Sequence, residues 1–140
     1  MDQQTAHSCM TQNPVTLDKT KTILDAAKLM SEQNIGFVPI VDGKKPVGVV
    51  TDRDLVIRGI AKNLQANTPI DQVMSPTCIS VEPHHSISET ADKMAKHKIR
   101  RLLVVENDNL LGIVALGDLA VREQSDARAG QALSEISEQK

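Results

Sequence analysis

Apolar positions along the chain follow two periods, and each change of period marks an element. From Thr22 onward, Ile23, Ala26, Ala27 and Met30 fall at i, i+3, i+4 and i+7, the spacing of one helix face. Ile87, Thr90, Ala91 and Met94 repeat it. Each stretch opens on a hydroxyl residue followed three positions later by a carboxylate, Thr22 with Asp25 and Ser86 with Glu89, which predicts a capping box at both helix starts. Residues 35–41 and 99–105 are short apolar runs rich in β-branched side chains and predict strands. Residues 47–51 and 110–115 predict their antiparallel partners, across turns at Asp42-Gly43-Lys44-Lys45 and Glu106-Asn107-Asp108-Asn109. Shorter strands are predicted at 14–17 and 78–81. Leu55, Ile57, Ile60, Ala61 and Leu64 predict a helix, and Thr68-Pro69 starts a short one with Thr68 as N-cap and Pro69 in the first helical position. Past Arg122 the chain turns polar, but Ala129, Ala132, Leu133 and Ile136 keep helical spacing and predict a short C-terminal helix. Met1 to His7 is polar, expected to be frayed or loosely helical, and is assigned no chemistry.

The two halves of this pattern are copies. A shift of 64 residues keeps the chain in register with itself from Met10 to Arg58 without a gap, pairing Met10 with Met74, Ile23 with Ile87, Met30 with Met94, Gly48 with Gly112 and Asp54 with Asp118. That is a tandem duplication. At 140 residues the chain can bury one core or two half-cores packed together, not a module plus a separate catalytic domain. A net charge of −2 with basic residues spread along the chain gives no general attraction to nucleic acid or an anionic membrane. Phe37 is the sole aromatic residue, so a planar ligand would be held between aliphatic side chains, and stacking sites for single-stranded nucleic acid are excluded. Two cysteines, Cys9 and Cys78, imply no disulfide framework, and no apolar run approaches a membrane span. A cytoplasmic protein is expected.

Candidate chemistry collects where strand gives way to helix. Gly48-Val49-Val50-Thr51-Asp52-Arg53-Asp54 and Gly112-Ile113-Val114-Ala115-Leu116-Gly117-Asp118 each run from a glycine through β-branched residues to an Asp at a predicted helix start, where phosphate is attracted. Thr51-x-x-Asp54 fits a plain capping box. It also fits a ligand site in which the hydroxyl donates to a phosphate oxygen and the carboxylate accepts two ribose hydroxyls.

The order strand, helix, strand, turn, strand ending in Gly-h-h-Thr-x-x-Asp, then helix, resembles the CBS motif, and two in tandem resemble a Bateman module, over about Ser8 to Glu123. The resemblance implies an α+β fold of two pseudo-twofold-related repeats, β-α-β-β-α each, packed through small sheets. Their expected bounds are 8–67 and 68–124, with 125–140 a polar tail or short C-terminal helix. It also implies a stand-alone regulatory module, not an enzyme, that binds an adenosine-containing nucleotide such as AMP, ADP or ATP in the cleft between repeats and signals to a partner protein. A scaffold whose ligand sites have decayed is the alternative.

By the same resemblance Thr51, Asp54 and Arg53 hold the nucleotide, Ile99 flanks adenine in the Asp54 site, and Ile35 does so in the Asp118 site. Arg100 and Arg101 reach phosphates, with Gly36 and Phe37 at the matching positions of the first repeat. Ala115 replaces the hydroxyl residue in the second copy, so two unequal sites are expected, the one on Asp54 being the better phosphate binder. CBS pairs commonly form two-chain discs, which implies a homodimer joined through helical faces including residues 55–64 and 119–122. No obligatory cofactor is expected. No metal is expected either, because His84, His85 and His97 show no Cys or carboxylate at ligand spacing. Cys78 and His85 lack the orienting group and oxyanion hole that a nucleophile and base would need.

Overall fold

The computed structural model describes residues 4–122, with side chains described as far as Leu119. In chain order the elements are α1 (Ala6–Cys9), β1 (Thr11–Gln12), β2 (Leu17–Asp18), α2 (Ile23–Gln33), β3 (Phe37–Asp42), β4 (Lys45–Thr51), α3 (Asp52–Asp54), β5 (Ser80–Val81), α4 (Ile87–His97), β6 (Arg101–Glu106), β7 (Asn109–Ala115) and α5 (Leu116–Arg122). The helix expected at 129–136 and the tail at 125–140 lie outside the described residues. No described helix is long and apolar enough to cross a membrane.

The chain forms two compact units, one of residues 15–78, the other of the residues before 15 together with those from 79 on. In the contiguous unit, β2 runs parallel to β3, which pairs antiparallel with β4. The helix α2 crosses between the two parallel strands. It starts on the expected box, Thr22 N–H donating to Asp25 Oδ2 at 3.0 Å and Asp25 N–H to Thr22 Oγ1 at 3.2 Å, and ends on Asn34 in the left-handed region at φ +55°. Its face toward the sheet is Ile23, Ala26 and Met30; Ala27, on the same expected stripe, is exposed. These side chains pack with Leu17, Val38, Ile40, Val50, Leu55, Ile70 and Val73 into one core, each large one contributing roughly 1.5–3 kcal/mol by leaving water.

The second unit repeats this plan and adds a strand. Its sheet has the order β1-β7-β6-β5, with β5 parallel to β6 and the others antiparallel. The box at α4 forms as expected, Ser86 N–H to Glu89 Oε1 at 2.9 Å and Glu89 N–H to Ser86 Oγ at 3.0 Å. The β6–β7 turn puts Asn107 at φ +53° and Asp108 at φ +65°, residues that tolerate the left-handed region. Met94, Leu102, Val104, Val114 and Leu119 are fully buried with Ala6 and Ala91. Ala6 belongs to the N-terminal stretch expected to be frayed or loosely helical; it begins the helix α1 and is buried.

Repeat and compact unit do not coincide. The segment that opens each sequence repeat folds into the unit of the other repeat. Thr11 pairs with Ile113, and 64 residues on, Ser75 pairs with Val49 through two backbone bonds of 2.8 and 2.9 Å. The bounds 8–67 and 68–124 therefore mark the duplication and not the folded bodies.

Two local expectations are corrected. The segment at Thr68-Pro69 is extended, Pro69 having φ −57° and ψ 143°, and the short 3-10 turn is Ile70–Gln72. An isolated bridge between Thr22 and Pro69 and the bond from Ile70 N–H to Lys21 O at 2.9 Å hold it in that form. The helix read through residues 55–64 is a composite: α3, then a π-helical turn over Leu55–Gly59, then a 3-10 turn over Ile60–Lys62 closed by Asn63 at φ +60°. A wider turn breaks the 3.6-residue stripe, so Leu55 enters the core while Val56 and Ile60 are 54% and 69% exposed. Leu119, expected at an interface, is instead wholly buried in its own unit.

Candidate functional site

In the contiguous unit β4 delivers Thr51 to the start of α3. Thr51 is extended (φ −118°, ψ 164°), and its Oγ1 accepts the Asp54 N–H at 3.1 Å while its own N–H donates to Asp54 Oδ2 at 2.9 Å. The capping box is thus formed. At α2 the Thr22 hydroxyl also donates to Asp25 Oδ2 at 3.0 Å; among the described residues the box at Thr51 is closed by the two backbone N–H groups alone, which leaves its hydroxyl proton for a ligand. Asp54 Oδ2 keeps a second lone pair, and Oδ1 stands 3.9 Å from Arg58 Nε with the side chain 20% exposed.

The strand β3 brings the other expected residues of this repeat to the same place. Phe37 faces Thr51 across the ladder, and the Asp52 N–H donates to Gly36 O at 3.1 Å. A Cβ on Gly36 would lie 2.8 Å from Asp52 Oδ2, so glycine admits that carboxylate. Asp52 Oδ1 in turn accepts the Arg53 N–H at 2.8 Å, and the Arg53 side chain is exposed. Ile35 donates its N–H to Met30 O at 3.1 Å and packs, half-buried, against the core.

The second unit has the same backbone and different chemistry. Arg101 faces Ala115 across the β6–β7 ladder, and the Leu116 N–H donates to Arg100 O at 2.8 Å, as Asp52 does to Gly36. Arg100, Arg101 and Asp118 are all exposed. Ala115 has no hydroxyl with which to cap α5. Ile99 packs, half-buried, on the core below. Thus Ile35, Gly36, Phe37, Thr51, Arg53 and Asp54 share one unit, and Ile99, Arg100, Arg101 and Asp118 share the other.

Two residues of the first half-site were not among those expected. Asp52 covers Gly36, and Arg58 joins Asp54 to the carbonyls of Val73 and Met74, to each of which its Nη1 donates at 3.4 Å. The i, i+4 spacing of Asp54 and Arg58 was a signal available in the sequence.

The duplicated strand-to-helix geometry is matched by the CBS domain family model twice, over residues 6–59 and 70–123. The chain belongs to the CBS domain family. Among CBS relatives, the CBS domain-containing protein YhcV of Bacillus subtilis (strain 168) is 43% identical over 130 residues, 93% of this chain and 93% of that one. The CBS domain pair of protein MJ0100, solved with 5-methylthioadenosine and S-adenosyl-L-methionine, has a TM-score of 0.76 at 26% identity, covering 89% of this chain and 98% of that one. CBSX2, solved in complex with AMP, has a TM-score of 0.76 at 25% identity, covering 87% and 97%.

Proposed function

We propose that this CBS pair is a regulatory module, not a catalyst, that binds an adenosine-containing ligand, with its stronger half-site at Thr51, Arg53 and Asp54. The observation that carries this reading is the pairing of a hydroxyl and a carboxylate at the start of α3, with the Thr51 proton outside the capping box and Asp54 Oδ1 held only at 3.9 Å by Arg58 Nε. Support comes from the AMP, 5-methylthioadenosine and S-adenosyl-L-methionine held by the two solved CBS pairs. Asp54 takes the ribose hydroxyls and Thr51 a phosphate oxygen. Ile35, Gly36 and Phe37 add contacts in the same unit, and Ile99, Arg100, Arg101 and Asp118 form the equivalent place in the other. Asp118 lacks a neighbouring hydroxyl and makes the weaker half-site.

Occupancy is read out through differential affinity, the ligand favouring one arrangement of the protein over another and a partner protein responding to the change. The π-helical turn directly after Asp54 suits that role, since such turns are local irregularities that a shift at the helix start can move. The exposed face of Val56, Ile57, Ile60 and Leu64 is apolar enough to be covered by a second copy of the chain, so the working form is a homodimer.

Thermal unfolding with AMP, ADP, ATP and S-adenosylmethionine tests the reading. Ligand at 100 times its dissociation constant adds roughly 2.7 kcal/mol, a rise of several degrees. Asp54→Ala lowers the ligand-free midpoint by removing the carboxylate that accepts the Thr51 N–H, about 1 kcal/mol, so the quantity to compare is the ligand-induced increment. That increment is expected to vanish in Asp54→Ala, fall in Thr51→Ala and survive in Asp118→Ala. Absence of any increment with millimolar ligand and an intact fold would sink the sensor reading in favour of a scaffold.

A further inference from the structure

The loop between β5 and α4 brings together three side chains that the nucleotide reading does not use. One ligand atom from each of Glu82, His84 and His85 lies within 4.8 Å of the others. The sequence reading found no carboxylate at ligand spacing to these histidines; Glu82 provides one, because a turn folds it back beside them. His85 N–H donates to Glu82 O at 3.1 Å, with Pro83 fixing the turn's first corner. We propose that Glu82, His84 and His85 form a binding site for a divalent cation of the zinc class.

The donor set fits. Two imidazoles and a carboxylate suit borderline metals, and three protein ligands leave a position for water. Ligands at zinc bond lengths in a tetrahedron stand about 3.3 Å apart, so the present spacing closes by small rotations of Glu82 and His84, both exposed, and of half-buried His85.

The loop is held before any metal arrives. His7 N–H donates to Pro83 O at 3.1 Å and Ala6 N–H to His85 O at 2.8 Å, which pins its backbone to α1. The His84 and His85 rings stack with centroids 4.9 Å apart, so the two imidazoles already stand together. His85 Nδ1 accepts the Glu82 N–H at 3.0 Å and lies 3.3 Å from the Glu82 carbonyl oxygen. Nε2 is therefore the nitrogen left for a cation. Binding there moves the ring proton to Nδ1, which gives up the Glu82 N–H and donates instead to Glu82 O, 3.3 Å away, the outer hydrogen bond that metal-bound histidines make.

Charge is the remaining question, since α4 begins at Ser86 and its positive end disfavours a cation. Glu82 and Glu89 offset it. The Glu89 carboxylate, which accepts the Ser86 N–H at 2.9 Å, stands at that helix start. Glu82 and His85 also border an open depression of about 380 Å³ with Asn107, Asp108 and Lys93, and the Lys93 ammonium is tied to Ser80 O at 2.6 Å. Solvent thus reaches the open coordination position.

The test is competition of the full-length chain with a chromophoric chelator for zinc ion, followed by the absorption spectrum of the cobalt-loaded protein. One equivalent per chain is expected, with a cobalt spectrum lacking thiolate charge-transfer bands. Outer hydrogen bonds to metal ligands are worth about 10- to 100-fold in affinity, so removing ligands outright should cost no less. Glu82→Gln is expected to weaken binding at least about tenfold and the His84→Ala/His85→Ala double variant at least about a hundredfold. No stoichiometric uptake by the wild type overturns the proposal. Uptake by the double variant within about twofold of wild type, or a thiolate band implicating Cys9 or Cys78, does the same.

Discussion

Gly48 and Gly112 stand at the same place in the two copies and serve the same purpose. A Cβ on Gly48 would lie 2.6 Å from Met74 Sδ and 2.8 Å from Ser75 O; one on Gly112 would lie 2.6 Å from Thr11 O and 2.7 Å from Met10 Sδ. Backbone oxygens cannot swing aside as a methionine tip can, so a methyl group there forces the strand apart. Gly48→Ala and Gly112→Ala are each expected to lower unfolding free energy by about 1–3 kcal/mol, measured by urea denaturation. Gly117→Ala, with nothing within 4 Å, should be near neutral. The sequence showed both glycines as repeat markers beside a helix start. It could not show why they are glycines, because the atoms that crowd them arrive from the other copy of the repeat. The same limit applies at Thr51 and Asp54, whose cap was legible from spacing while the cover that Asp52 gives Gly36 was not.

Helix ends were the most legible elements, since a capping box is a local contract between residues three apart. Both expected boxes form, and both set an acid sensitivity. The Asp25 carboxyl is held below its ordinary range by the Thr22 backbone N–H and then by the Thr22 hydroxyl, and Glu89 by the same groups of Ser86. A carboxyl more acidic when folded than when unfolded releases its proton in favour of the folded state. The stability it adds is complete above its unfolded value, about 3.9 for Asp and 4.3 for Glu, and is lost as pH falls through the lower folded value. Midpoints followed from pH 6 to about pH 3 are expected to fall less steeply in Asp25→Asn and Glu89→Gln than in the wild type. The composite helix after Thr51 was misread for the complementary reason. Residues 55, 57, 60, 61 and 64 are compatible with one straight helix, and nothing local announces a π-helical turn, which is set by what Leu55 and Gly59 must pack against.

At the scale of the molecule, the duplication and the two hairpins were readable from periodicity, and the strand order and make-up of the compact units were not. Pairing of Thr11 with Ile113 and of Ser75 with Val49 joins segments far apart in sequence, a choice that alternation of apolar and polar residues does not encode. The wider turn also leaves Val56, Ile57 and Ile60 facing outward together, and the proposed homodimer would bury them. Ile60→Asp is expected to shift the protein from dimer to monomer in sedimentation velocity with its circular dichroism unchanged; a variant that still sediments as a dimer would place the interface elsewhere.

The exchanged opening segments also set a timetable for synthesis. The unit of residues 15–78 has all its partners once Cys78 has left the ribosome and can close while the rest of the chain is still being made. The other unit is begun before it and finished after it. Ala6, Cys9 and Met10 precede residues 15–78 in the chain and have no strand to rest on until Asn109–Ala115 emerges. Until then these three side chains stay open to solvent, and their unit cannot close before that strand is made.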